Sequence, residues 1–135
     1  MSNDKRQYGY RMQLFCMTGY NLTLRSTGEV LGTEDDADID SHVEISSGGD
    51  ISHVRIFGLN SKLYLCFKND GRMYGEEDPS NEGTIFIENF QGLYSTYRSK
   101  MDPGWYLGIK KNGSMKIGTK NAYGRKSVKF LPRRL

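Results

Sequence analysis

Glycine recurs in a fixed register along the chain. A turn glycine stands at Gly28, Gly71 and Gly113, 43 and then 42 residues apart, and a second glycine follows at Gly32, Gly75 and Gly118, at intervals of 43 residues. The segments around them match: Leu22-Thr23-Leu24 before Gly28, Leu65-Cys66-Phe67 before Gly71, and Leu107-Gly108-Ile109 before Gly113. An internal period of this length marks a chain built from repeated supersecondary units, none of which buries its apolar face alone. Three copies nearly fill the 135 residues and leave no room for a second domain.

Each copy reads as a β-hairpin. Leu22 and Leu24 alternate with Thr23 and Arg25, the period of a half-buried strand. Asp70-Gly71 and Asn112-Gly113 are strong turn dipeptides because glycine supplies the positive φ that such turns need; Thr27-Gly28 is a weaker version. Further alternating runs lie between the hairpins: 12–15, 42–45, 53–57, 84–87, 94–97 and 128–131. Both arms of each hairpin plus these runs give twelve strands, four in each of three pseudo-threefold repeats. That is the count of an all-β, β-trefoil domain, in which six strands form a short barrel and three hairpins cap one end. A propeller needs other periods and more chain, and an immunoglobulin sandwich produces no threefold glycine register. The domain is expected over residues 11–135, with 1–10 as a flexible N-terminal segment. Leu14, Leu24, Ile56, Leu65, Phe67, Phe86, Tyr97, Leu107, Ile109 and Phe130 are the expected core.

The net charge of +3 hides a split. Residues 101–135 carry nine cations against Asp102, a balance of +8, while the first hundred carry −5. Such asymmetry points to a polyanion meeting the C-terminal quarter. Nucleic acid is set aside, because no recognition helix, zinc motif or RNP-type segment accompanies the basic stretch. A solvated basic face without a partner is the plainer alternative.

Other chemistries find no motif. His42 and His53 have no accompanying nucleophile, and Ser46-Ser47-Gly48-Gly49-Asp50 lacks the Gly-Lys-Ser/Thr ending of a phosphate loop. The acidic run from Glu34 to Asp38 lacks the spacing and glycine of an EF-hand. No enzyme, metal site or cofactor is therefore expected. Cys16 and Cys66 stand fifty residues apart with no second pair, and are read as buried free thiols. No run of eighteen apolar residues offers a membrane span. Met1 to Arg6 is polar with no apolar run behind it, which is not a signal peptide; a removed leader, another export route and an intracellular protein all stay open.

These residues, in order, resemble the fibroblast growth factor core domain over roughly residues 11–134. The resemblance is carried by Thr18-Gly19-Tyr20-Asn21-Leu22, Gly28-Glu29-Val30-Leu31-Gly32-Thr33, Leu63-Tyr64-Leu65-Cys66, Gly71-Arg72-Met73-Tyr74-Gly75, Phe86-Ile87-Glu88, Tyr94-Ser95-Thr96-Tyr97, Trp105-Tyr106-Leu107-Gly108, Lys110-Lys111-Asn112-Gly113-Ser114 and Phe130-Leu131-Pro132-Arg133. It implies a secreted, mitogenic ligand of a receptor tyrosine kinase with heparan sulfate as co-receptor, monomeric by itself and able to dimerise on the glycan. An intracellular homologue binding ion-channel tails or other cytoplasmic partners is the alternative within the same fold.

The resemblance places the heparin-binding loop at Lys111, Asn112, Lys116, Lys120, Arg125 and Lys126, with Lys110 beside them on the third turn. Clustered Lys and Arg with amide donors are what a sulfated chain requires. Receptor contact is implied for Phe15, Glu88, Tyr94 and Leu131, although Phe15 and Leu131 could be core and Glu88 could brace a loop. Two formal glycosylation sequons occur, Asn21-Leu22-Thr23 and Asn112-Gly113-Ser114. Asn112 is read as a ligand and Asn21 as the acceptor.

Overall fold

The computed structural model describes residues 11–119 and 125–135. Ten strands run in order: β1 (Arg11–Cys16), β2 (Asn21–Leu24), β3 (Val30–Thr33), β4 (Val43–Ser47), β5 (His53–Gly58), β6 (Tyr64–Phe67), β7 (Met73–Glu76), β8 (Phe86–Gln91), β9 (Tyr94–Ser99) and β10 (Phe130–Arg134). The described residues form no α-helix, only three 3₁₀ turns at Ile39–Ser41, Glu82–Thr84 and Lys126–Val128. No helix among them is long and apolar enough to cross a membrane.

Six strands close a ring. β1 pairs with β10 and β4, β4 with β5, β5 with β8, β8 with β9, and β9 with β10. All these pairs are antiparallel, so closure leaves no ring strand with an open edge along its whole length. β2 and β3 form one hairpin outside the ring, joined to it through β1, and β6 and β7 form another joined through β5.

Twelve strands were expected and ten form among the described residues. The difference lies at 105–118, where only the single bridges Arg98↔Tyr106 and Ile109↔Met115 occur. The backbone amides of Leu107 and Ile109 donate to Tyr97 O (2.8 Å) and Ser127 O (2.9 Å). The two arms still bond across the turn, Lys110 N donating to Ser114 O (2.8 Å) and Lys116 N to Gly108 O (2.9 Å), while the alternate amides of Leu107 and Ile109 face outward.

The glycine register has a direct physical role. Gly28, Gly71 and Gly113 have φ of +91°, +85° and +87°, and each donates its amide to the carbonyl three residues earlier at 2.9 Å. The second glycines then link the turns to one another: Gly32 N donates to Gly113 O (2.7 Å), Gly75 N to Gly28 O (2.9 Å) and Gly118 N to Gly71 O (2.7 Å). The three bonds make a closed cycle. Approach this close excludes a side chain: a Cβ on Gly32 would lie 2.7 Å from Tyr20 Cβ and 2.8 Å from Ile109 Cγ2.

The core fills the ring and the space beneath the turns. All ten expected core residues are at most 2% exposed. Met12, Leu22, Val43, Ile45, Val54 and Val128 join them. Phe67 packs its ring against both Phe86 and Trp105, at centroid distances of 5.8 and 5.7 Å. Cys16 and Cys66 are buried free thiols, as read from the sequence. Burial pushes the Cys66 thiol up to about 11, the uncharged form being favoured away from water.

Candidate functional site

The basic turn is held rigidly from below. Lys110 N donates to Ser114 O at 2.8 Å, closing the turn. Asn112 Oδ1 accepts from both Ser114 N (3.0 Å) and Ser114 Oγ (2.7 Å), which leaves the Asn112 amide nitrogen as the group it can offer a ligand. The β1–β2 connection fixes the turn from outside: Thr18 Oγ1 donates to Ile109 O (3.0 Å) and Tyr20 Oη to Lys111 O (2.8 Å). Gly32 N adds its bond to Gly113 O.

A second basic element abuts the first. The turn at Lys126–Val128 is tied to β1 and to the first arm of the basic turn, because Ser127 O accepts from Ile109 N (2.9 Å) and from Cys16 Sγ (3.3 Å). Lys116 lays its aliphatic stem over Gly108, close to where Ser127 of the second element approaches. A Cβ on Gly108 would meet Lys116 Cδ at 2.9 Å and Ser127 O at 3.0 Å, so the stem crosses Gly108 beside Ser127. Lys110, Lys111, Asn112, Lys116, Arg125 and Lys126 therefore belong to two adjoining elements. Among the described residues, none of the five cations is ion-paired with a carboxylate. Lys120, the seventh expected residue, lies outside the described residues.

Three of the four expected receptor residues stand together on β1, β10 and β9. Phe15 is paired directly with Leu131. Ser95 is paired with Phe130, and one step along that antiparallel register sets Tyr94 beside Leu131. Phe15, Leu131 and Tyr94 are all partly exposed, while their neighbours Leu14, Phe130 and Ser95 face inward. Glu88 lies elsewhere: it is 6% exposed on β8, accepts from Tyr97 Oη at 3.0 Å, and donates its backbone amide to Ser52 O at 2.8 Å.

Asn21 is not suited to carry a glycan in the folded chain. It is fully buried, its Nδ2 donates to Asp36 Oδ1 (2.8 Å) and its Oδ1 accepts from Arg133 (2.8 Å). A sequon reports only local sequence, and here both ends of the side chain are spent on partners far along the chain. Those donors hold the Asp36 carboxyl below its ordinary value, the Asn21 amide first and Arg133 second. Two nearby acids are likewise occupied: Arg25 reaches Asp38 at 2.9 Å and Asp40 at 3.0 Å.

Sequence reasoning missed two features of this surface. Arg133 places its guanidinium 4.6 Å from the centre of the Phe15 ring and donates to Gln13, Asn21 and Asp36. Phe90 near the end of β8 and Leu93 in the β8–β9 turn are 59% and 82% exposed. Their apolar character resembles that of core residues, and only their place at a strand end, beside Gly92, hints otherwise.

Comparison with known proteins gives a consistent result. The family model described as fibroblast growth factor matches residues 10–131. Fibroblast growth factor 1 of Cynops pyrrhogaster is 37% identical over 123 residues, covering 88% of this chain and 82% of that protein. The protein of the same name from Notophthalmus viridescens is 36% identical, with 88% and 92% covered, and that from Xenopus laevis 37% identical, with 88% and 78% covered.

Proposed function

Since the chain belongs to the fibroblast growth factor family, and is thus a growth factor and not an enzyme, we propose that it acts outside the cell, binding heparan sulfate and activating a receptor tyrosine kinase of the fibroblast growth factor receptor type. The observation that carries the glycan part is the set of cations on the adjoining turns, unpaired with any carboxylate among the described residues. Charges left free of internal partners attract a polyanion at long range and release its counterions on binding. Lys110, Lys111, Asn112, Lys116, Lys120, Arg125 and Lys126 are the assigned ligands. Heparan sulfate is a co-receptor here, and the protein needs no cofactor.

Phe15, Tyr94 and Leu131 form the assigned receptor patch, an aromatic and apolar centre of the kind that carries binding energy at interfaces. Glu88 acts with them by holding Tyr97 and the Ser52 loop in place. We read the fold as a β-trefoil of one domain over residues 11–135; the cycle of bonds joining Gly28, Gly71 and Gly113 to the second glycines supports that reading.

Heparin-affinity chromatography tests the glycan site. The wild type elutes well above physiological salt, and the Lys111→Ala/Lys116→Ala/Arg125→Ala variant elutes much earlier. The slope of log Kd against log salt falls by about 2 to 3 for three lost cations. Equal elution of the two proteins rejects the site. Tyrosine phosphorylation of a fibroblast growth factor receptor on cells treated with the protein tests the receptor reading; an intracellular role predicts none.

A further inference from the structure

The outward face of the β8–β9 hairpin holds a cation that the functions above do not use. Arg98 lies on β9, paired across the strands with Ile87 and bridged on its other side to Tyr106. It helps to line an open groove of ≈ 370 Å³ together with Asn89, Phe90, Gln91, Thr96 and Tyr106. Its Nε is buried and has no hydrogen-bond acceptor. Among the described residues no carboxylate pairs with it.

A buried guanidinium N–H without an acceptor is costly, and Arg98, which is otherwise partly exposed, can turn its guanidinium to an arriving anion. The surroundings favour a planar anion. Arg presents a fork that matches a carboxylate in two parallel bonds. Asn89 and Gln91 add neutral amide donors, and the half-exposed ring of Phe90 supplies an apolar wall. The groove shares β9 with the assigned receptor patch, Arg98 standing four residues from Tyr94 with the buried Thr96 between them. Alternation along β9 puts Tyr94, Thr96 and Arg98 on one side, while Ser95, Tyr97 and Ser99 face the core.

From this placement we infer that the Arg98 groove receives an aspartate or glutamate side chain of the receptor seated on Tyr94, and so contributes to which receptor is chosen. The inference rests on the receptor reading given above. Glycan sulfates are the competing anion, but the unpaired lysines of the basic turns provide for them on different strands and turns.

The test uses the purified chain, an immobilised fibroblast growth factor receptor ectodomain and a heparin column. Arg98→Gln removes the charge and keeps an amide; Arg98→Lys keeps the charge and loses the fork, and serves if the first variant folds poorly. Arg98→Gln is expected to weaken ectodomain binding by about tenfold or more, Arg98→Lys to recover part of that, and both to elute from heparin with the wild type. If both variants bind the ectodomain as the wild type does while Tyr94→Ala binds weakly, the groove inference is overturned and the receptor reading stands. If the variants lose heparin retention instead, the anion is sulfate and the inference is overturned. If the wild type itself does not bind any receptor ectodomain, both readings fail together.

Discussion

Arg133 lies with its guanidinium carbon 4.6 Å from the centre of the Phe15 ring. Its terminal nitrogen donates at the same time to Asn21 (2.8 Å), Gln13 (3.2 Å) and Asp36 (3.2 Å). One side chain near the C-terminus thereby fixes the first strand, the start of the second and the acidic loop. It also holds the aromatic ring assigned to the receptor patch.

Arg133→Ala should therefore destabilise the fold by about 1 to 3 kcal/mol, the combined worth of partly buried charge-assisted hydrogen bonds and a cation–π contact. Urea unfolding measures it. Arg133→Lys should recover only part of the loss, since a compact, strongly hydrated ammonium does not stack on the Phe15 ring as the planar guanidinium does. A midpoint unchanged in the alanine variant contradicts the bracing role.

Two glycines should respond oppositely to substitution. At Gly32 any side chain meets Tyr20 and Ile109 within 2.8 Å, so Gly32→Ala should cost about 1 to 3 kcal/mol through overpacking. Gly92 has φ of +64° but nothing within 4 Å of an added Cβ. Asn tolerates that backbone region, so Gly92→Asn should lie within about 1 kcal/mol of the wild type. Thermal unfolding of both variants decides; equal losses would refute the packing argument for Gly32.

The depressed carboxyl of Asp36 links stability to acid. Its folded value lies below the ordinary 3.8, first through the Asn21 amide and then through Arg133. The resulting stabilisation is fully present above the ordinary value and is lost as pH falls through the folded one. Stability should thus decline on acidification below about pH 4. Asp36→Asn should make this decline shallower and leave a smaller stability at neutral pH. An acid limb of unaltered steepness in the variant would exclude Asp36 as a contributor.

Neither thiol should react in the folded protein. Both cysteines are fully buried, and the Cys66 thiol is pushed up to about 11 by burial. Treatment with a disulfide reagent at pH 8 should label no cysteine until denaturant is added, after which both label. Fast labelling of the native chain would show that the core opens far more readily than its packing implies.

Local pattern in the chain was enough for ten of the twelve expected strands, for the turns and for the interior. Alternation names the inward face of a strand whatever its neighbours are, so Leu14, Ile56, Leu65, Phe86 and Phe130 could be assigned without knowing what they pack against. Positive φ is likewise a property of one residue, and the glycine register therefore marked the three turns. The lysines of the basic stretch were visible as a charge imbalance that needs no geometry. What depended on partners distant in sequence was settled only by the tertiary fold. Asn21 carries a sequon, yet Arg133, 112 residues away, helps to bury it. The third turn has the sequence of a hairpin, and only the fold shows that the outward amides of its first arm, Leu107 and Ile109, find their acceptors at Tyr97 O and Ser127 O. Arg98 looks like any polar residue on an alternating strand, and only the fold sets it in a groove beside Tyr106 with its Nε buried and unbonded. Hydrogen bonds and charges depend on the distance between particular atoms, and chain closure, which brings residues from opposite ends to within 3 Å of each other, sets those distances.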